Sequence, residues 1–493
     1  MAVGNECVAN VSPGDTTPTT RPVHPGRVVA VLAFAGMCAS FTQTILIPIQ
    51  GALPHLLNAS SSDTAWVITI TLLVAAICTP ISGRFGDMYG KRRVAMILLG
   101  VLVLGSVVCA LSPGVHALIV GRGLQGVGMG VIPLGIAILR DVLPAERLGS
   151  AIALVSATLG VGAALGLPIS AFVTEHFDWQ ILFWFAAGIG VLIVALMAWA
   201  VPESPVRVGG RIDVVGVVGL AAGLSAVLLA VSRGNDWGWT SPRTLGLLIG
   251  GVVILLVWGW LELRVAQPLV DLRVSARGPV LLTNLASVAM GFALFSAQIA
   301  FPQLLELPTT ADGFGLPLLH ASLIIMPSGL AMLAMSPISG RLIQQWGPKP
   351  LLMTGSSVIG LGYAIAVFVD LQEWHILVIN VLVGIGIGVG YAAMPTLIMR
   401  SVPETETGAA NGLNTLMRSL GTATAAALIA AILMRFPNYV DGVALPSTQG
   451  FQVAFGFGLA ASALCTVIAA FIPRPRHHPG EHDALPYDDN DAV

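Results

Sequence analysis

The sequence predicts an all-α polytopic membrane protein of fourteen transmembrane helices: two pseudo-repeated six-helix bundles plus two inserted central helices. Three observations predict it. The 493 residues are 55% hydrophobic and only 10% charged, against roughly 25% charge in a water-exposed globular chain. The apolar residues fall in repeated runs of about 20, the length at which a helix crosses a hydrocarbon core. Short motifs of the first half also recur, in the same order, in the second.

The runs are helices because lipid offers backbone N–H and C=O groups no partner outside the segment. A membrane barrel would alternate polar and apolar residues in segments of about ten, and no such segments occur. Fourteen runs begin near Val28, Ala65, Val94, Ala117, Ser150, Ile181, Ile212, Thr244, Val280, Pro317, Leu351, Ile376, Gly408 and Phe451. The one near Ile212 is the least distinct, being short and rich in Gly and Ala. The first run reads as a retained helix, not a cleaved leader, because further spans follow it.

Basic residues orient the bundle. With the N-terminus inside, alternation puts eighteen of the 23 Lys and Arg residues on the inner side. Arg233, Arg243 and Arg435 fall outside, and Arg122 and Arg418 lie within spans. The expected setting is the plasma membrane, with both termini cytoplasmic.

Pro80-Ile81-Ser82-Gly83-Arg84 recurs as Pro337-Ile338-Ser339-Gly340-Arg341, and Gly90 matches Gly347, at an offset of 257. Gly126, Gly128 and Gly130 match Gly384, Gly386 and Gly388, and Arg140-Asp141-Val142-Leu143-Pro144 pairs with Arg400-Ser401-Val402-Pro403. The expected organisation is a disordered cytoplasmic N-terminus (1–26), a six-helix bundle (27–204) and two inserted helices with linkers (205–278). A second six-helix bundle (279–473) and a disordered tail (474–493) follow. Two related six-helix halves are a transporter architecture, with a central cavity that rocking exposes to each side in turn.

Between spans 2 and 3 stands a loop containing Gly83, Arg84, Asp87, Gly90, Lys91, Arg92 and Arg93. Its glycines permit a tight turn. Its single acid, Asp87, can pair with Arg84, Arg92 or Arg140, or face the positive N-terminal end of a neighbouring helix. Either contact can latch one conformation. The second-half copy has Gln344 where the acid would sit, so the latch is asymmetric.

The pattern Gly83-x-x-x-Asp87-x-x-Gly90-Lys91-Arg92 resembles the signature loop of the major facilitator superfamily. Fourteen spans, Trp66-Val67-Ile68-Thr69, and Pro268-Leu269-Val270-Asp271-Leu272 are similar to its drug:proton antiporter branch. The resemblance implies a secondary active exporter of hydrophobic drugs or metabolites, working by alternating access on the proton gradient. It implies that Gly83 to Arg93 and Arg140 gate, and that Arg122 and Gln125 serve proton coupling. Gly162, Gly166 and Pro168 in span 5 resemble the exporters' antiporter helix, although Leu167 separates a Gly and Pro that are usually adjacent. An uptake system or facilitator for a small solute is the alternative with the same fold.

A charge inside the membrane faces a cavity or a partner, which singles out Arg122. Coupling also needs a titrating group, and no Asp or Glu lies mid-span. Glu306, after span 9, is the first candidate. Gln43, Trp66, Asn284, Gln298, Asn411 and Asn414 are the polar or aromatic candidates for the cavity, which with few fixed charges suits apolar, cationic or neutral organic molecules. The expected partners are the bilayer, a small hydrophobic organic substrate and protons, with no nucleic acid, in a monomer. No catalytic cluster, metal spacing or cofactor loop is present, so enzymatic function is not expected.

Overall fold

The computed structural model describes residues 24–47, 49, 53–203, 212–266, 268–440 and 443–473. Residues 1–23 of the N-terminus and the whole tail 474–493, both expected to be disordered, lie outside the described residues, as do 204–211 of the linker before span 7.

Fourteen helices are long and apolar enough to cross a membrane. In chain order, spans 1 to 6 are Pro25–Thr44, Trp66–Tyr89, Lys91–Ala110, Val115–Val142, Glu146–His176 and Gln180–Ala200. Spans 7 and 8 are Val214–Gly234 and Pro242–Glu262. Spans 9 to 14 are Gly278–Glu306, Leu318–Trp346, Pro348–Phe368, Glu373–Met399, Thr407–Arg435 and Thr448–Ala470. Local chemistry sets many of the ends. Ser60, Asp213, Ser241 and Ser447 cap the helices carrying spans 2, 7, 8 and 14 by accepting a backbone N–H from the first turn, satisfying donors that would otherwise be orphaned. The Asp213 cap explains why the indistinct Gly- and Ala-rich run still starts a helix. Gly90 and Gly347 both take positive φ, 104° and 80°, at the sharp turns after spans 2 and 10, a conformation that a Cβ disfavours.

Spans 1 to 6 pack on one another, as do spans 9 to 14, and spans 7 and 8 pack as a pair. The two sets meet along span 2 against span 13 and span 5 against span 10, while span 7 lies on the seam between spans 2 and 13. The repeat is visible atom by atom. A Cβ on Gly83 would lie 2.7 Å from the Gly408 carbonyl carbon, and one on Gly340 would lie 2.5 Å from the Ser150 Cα. Residues matched within the repeat thus make matched approaches between the sets. Between spans 13 and 14 a small hairpin, Pro437–Val440 against Val443–Pro446, pairs antiparallel; the sequence reading did not anticipate it. Leu104, Val191, Leu256, Leu361 and Leu464 are exposed on outer faces, where lipid covers them. Trp199, Trp346 and Trp374 are exposed at span ends, the position of an interfacial aromatic belt.

Candidate functional site

A central cavity of about 180 Å³ lies between the two sets of helices. It continues into a vestibule of about 820 Å³ at the end of the bundle away from the Gly83–Arg93 loop. Ile47, Ile68, Leu72, Phe295, Gln298 and Ser419 line both. Toward the loop end the cavity stops, because the sets close on each other there.

That closure is polar and specific. The Asp87 carboxylate accepts the backbone N–H of Gly408 at 3.3 Å and of Ala409 at 3.0 Å. Of the partners open to Asp87, the structure therefore selects the N-terminal end of a helix, span 13, and not Arg84, Arg92 or Arg140. Its ion-pair neighbour is Lys91, at 3.9 Å. Lys91 is fully buried and donates to both Asp141 oxygens, at 2.9 and 2.7 Å. Arg140 donates to the Thr407 hydroxyl at 2.6 Å and to the Val402 carbonyl at 3.4 Å, crossing the same seam. In the second half, Gln344 donates to the Glu146 carbonyl, a neutral contact where the first half uses a carboxylate.

The remaining loop residues divide. Arg92 donates to the Ala198 carbonyl near the end of span 6 at 2.5 Å, as Lys349 does to Ala470 at the end of span 14 at 2.7 Å. Both are cations at helix C-termini, where the dipole favours them. Arg84 and Arg277 flank Glu406; burial pushes the Glu406 carboxyl up, with Asp271 adding to it against the pull of those arginines. Arg93 is exposed. Asp141 was missed as a member of this cluster, although it stands inside the echoed segment next to Arg140.

The glycine at position 83 makes the closure possible. Its added Cβ would meet backbone, with Ala409 N at 3.1 Å beside the Gly408 carbonyl, and backbone cannot rotate away. Gly83→Ala is therefore expected to hold the loop end open. On a cysteine-free background, Thr79→Cys in the cavity floor should then react several-fold faster with a membrane-impermeant thiol reagent added on that side. An unchanged rate means this approach is not part of the closure.

Arg122 is completely buried at the cavity wall. It donates to the Thr42 carbonyl of span 1 at 2.6 Å, the Val67 carbonyl of span 2 at 3.3 Å and the Gln125 Oε1 at 2.8 Å. Gln125 donates in turn to Ser106 of span 3 at 2.8 Å. One guanidinium thus ties four helices together. The matching Asn380 in span 12 donates back to its own helix, to Ile376.

Gly162 and Gly166 bring span 5 against span 1, and an added Cβ at either would strike the span 1 backbone or Thr44. Ser40 and Ser170 add hydroxyl bonds across that pair, to the Leu159 and Ile45 carbonyls, each at 2.5 Å. Pro168 lies inside the same helix.

Of the expected cavity residues, Gln43 and Gln298 line the cavity. The other four need correction. Trp66 lies beneath the Arg233 guanidinium, 4.9 Å from its ring centroid. Asn414 donates to Asn284 at 2.9 Å and to Ser287 at 2.8 Å, so these amides join spans 9 and 13. Asn411 bonds back to Thr407 within its helix. In each case the amide or ring meets a nearer polar or charged neighbour than the cavity. Glu306 lines the vestibule, apart from Arg122 in the cavity wall. Sequence reasoning left out Tyr391, Phe295, Asn380 and Arg418, all cavity-lining. Only Arg418 carried a signal, as a charge within a span.

Two six-helix sets around a shared cavity, closed at one end by bonds that cross the seam, define a membrane transporter rather than an enzyme. The chain belongs to the major facilitator superfamily: the sequence profile of the Major Facilitator Superfamily matches residues 32–426 and 285–487. It is 26% identical to the lincomycin resistance protein LmrB of Listeria monocytogenes over 469 residues, covering 92% of this chain and 98% of that one. It is 25% identical over 371 residues to the multidrug resistance protein Stp of Mycobacterium tuberculosis, covering 75% and 68%. Its fold matches the crystal structure of the human organic anion transporter MFSD10 with a TM-score of 0.63 at 15% identity, covering 90% of this chain and 99% of that one.

Proposed function

We propose that this transporter exports hydrophobic drugs or metabolites across the plasma membrane by alternating access, driven by the proton gradient. The observation that carries the alternating-access part of this reading is the one-sided geometry: a closed seam at the Asp87 end and a cavity continuous with a vestibule at the other. With the basic end and both termini cytoplasmic, the cavity opens outward, which is the releasing state of an exporter and equally the loading state of an uptake system. Export is the direction supported by the relatives named for lincomycin and multidrug resistance.

In this reading Arg122 and Gln125 couple the first half's helices to the cavity, and Glu306 takes the proton from the outer vestibule. A second reading, a facilitator or uptake system, draws on one observation: no Asp or Glu is among the described residues lining the cavity. Inside-out vesicles with an acidified lumen separate the two. An exporter accumulates a hydrophobic drug in the lumen, and a protonophore abolishes the accumulation. Glu306→Gln is expected to remove the protonophore-sensitive part while leaving exchange down a substrate gradient intact. Accumulation indifferent to the protonophore would refute proton-driven export.

A further inference from the structure

The charge balance of the cavity points to a substrate class. Among the described lining residues the side chains charged at neutral pH are Arg122 and Arg418, one from each half, and there is no Asp, Glu, Lys or His. The two arginines are not equivalent. Arg122 has no exposed surface and its guanidinium is engaged by three acceptors. Arg418 is half-buried, and its guanidinium carbon lies over the Tyr391 ring of span 12 at 4.8 Å from the centroid. It donates no hydrogen bond to any described residue. Its stem is held by close packing: a Cβ on Gly291 of span 9 would lie 3.1 Å from the Arg418 Cγ.

A contact with the ring leaves the guanidinium's N–H donors without an acceptor, and their planar fork matches a bidentate carboxylate. An unpaired cation in a low-dielectric cavity also attracts an anion more strongly than it would in water. The cavity lining is otherwise mostly apolar and includes Leu72, Leu159, Leu294, Phe295 and Ile325. We infer that the cavity binds amphipathic organic anions, with the Arg418 guanidinium receiving the carboxylate and the apolar walls receiving the hydrophobic body. This departs from the sequence expectation of apolar, cationic or neutral molecules, because both charged side chains lining the described cavity are cations. It rests on the cavity being the transport site proposed above.

The outer vestibule has the opposite character. Its lining carries Glu306, and Asp236 held by Arg233 at 2.8 Å.

The test is equilibrium binding, independent of any gradient, so that its failure and failure of the exporter reading are distinguishable. The full chain in phosphatidylcholine nanodiscs, where no anionic lipid competes, is titrated at pH 7.5 with dansyl-aminooctanoate, its methyl ester and a trimethylammonium analogue. Empty discs correct for partitioning. The wild type should bind the carboxylate at least about tenfold more tightly than the ester or the cation. Arg418→Gln should erase that preference by weakening the carboxylate alone, and Arg418→Lys should restore part of it. Should Arg418→Gln fail to fold, Arg418→Lys together with the wild-type preference decides. Equal binding of the three probes by the wild type, or a preference that survives Arg418→Gln, would overturn the assignment.

Discussion

Arg122→Ala abolishes transport, by at least about a hundredfold, while the protein still folds. The guanidinium holds the Thr42 and Val67 carbonyls and Gln125, and through Gln125 reaches Ser106. Its removal leaves buried acceptors unpaired at about 1–3 kcal/mol each, less where cavity water enters. The loss of stability is therefore expected to be a few kcal/mol at most, spread over a large bundle. The loss of transport is larger because four helices lose their common anchor at the cavity wall. Arg122→Lys preserves the charge, but a single ammonium replaces the planar fork that reaches spans 1, 2 and 4 together. It should fold better than the alanine variant and transport little better. Transport in proteoliposomes, read beside a melting curve, checks both. Undiminished transport by folded Arg122→Ala removes the role assigned to this residue.

Asp87→Asn shifts the conformational equilibrium toward opening of the loop end, by about tenfold. The carboxylate has two acceptor oxygens and meets two N–H groups, those of Gly408 and Ala409. An asparagine offers one oxygen and turns an NH₂ toward the other N–H. It also loses the charge that the N-terminus of span 13 and Lys91 favour. Spin labels at Arg93→Cys and Arg341→Cys, on a cysteine-free background, report the separation of the halves at that end. The long-distance population should rise while substrate affinity stays within about twofold, since Asp87 is not a cavity-lining residue. A fall in affinity with unchanged distances would mean that Asp87 does not latch the seam.

Arg122 was legible because a charge stands out in an apolar run, and the Asp87 loop because its residue types and spacing are distinctive. The cavity roster was not. Spans that are apolar on every face carry little record of which way each residue turns, so polar residues such as Asn284 and Asn414 looked like substrate contacts when they in fact bond to each other. Asp87 likewise had several charged candidates within its own loop, and its partner lies 321 residues along the chain. Arg418 was visible as a charge, but its companion Tyr391 was not.

What the sequence determined by itself was the count of crossings, the two inserted spans and the repeat. These depend on the length and order of apolar segments, and a bilayer makes each such segment a helix whatever its neighbours do. Tertiary structure alone decided which end of the bundle is closed, that Asp87 meets a helix terminus instead of an arginine, and that the described lining of the cavity holds arginines without a carboxylate. Those outcomes follow from the rotation of each helix about its axis and from its docking partner, and both are set by side-chain packing between segments far apart in the chain.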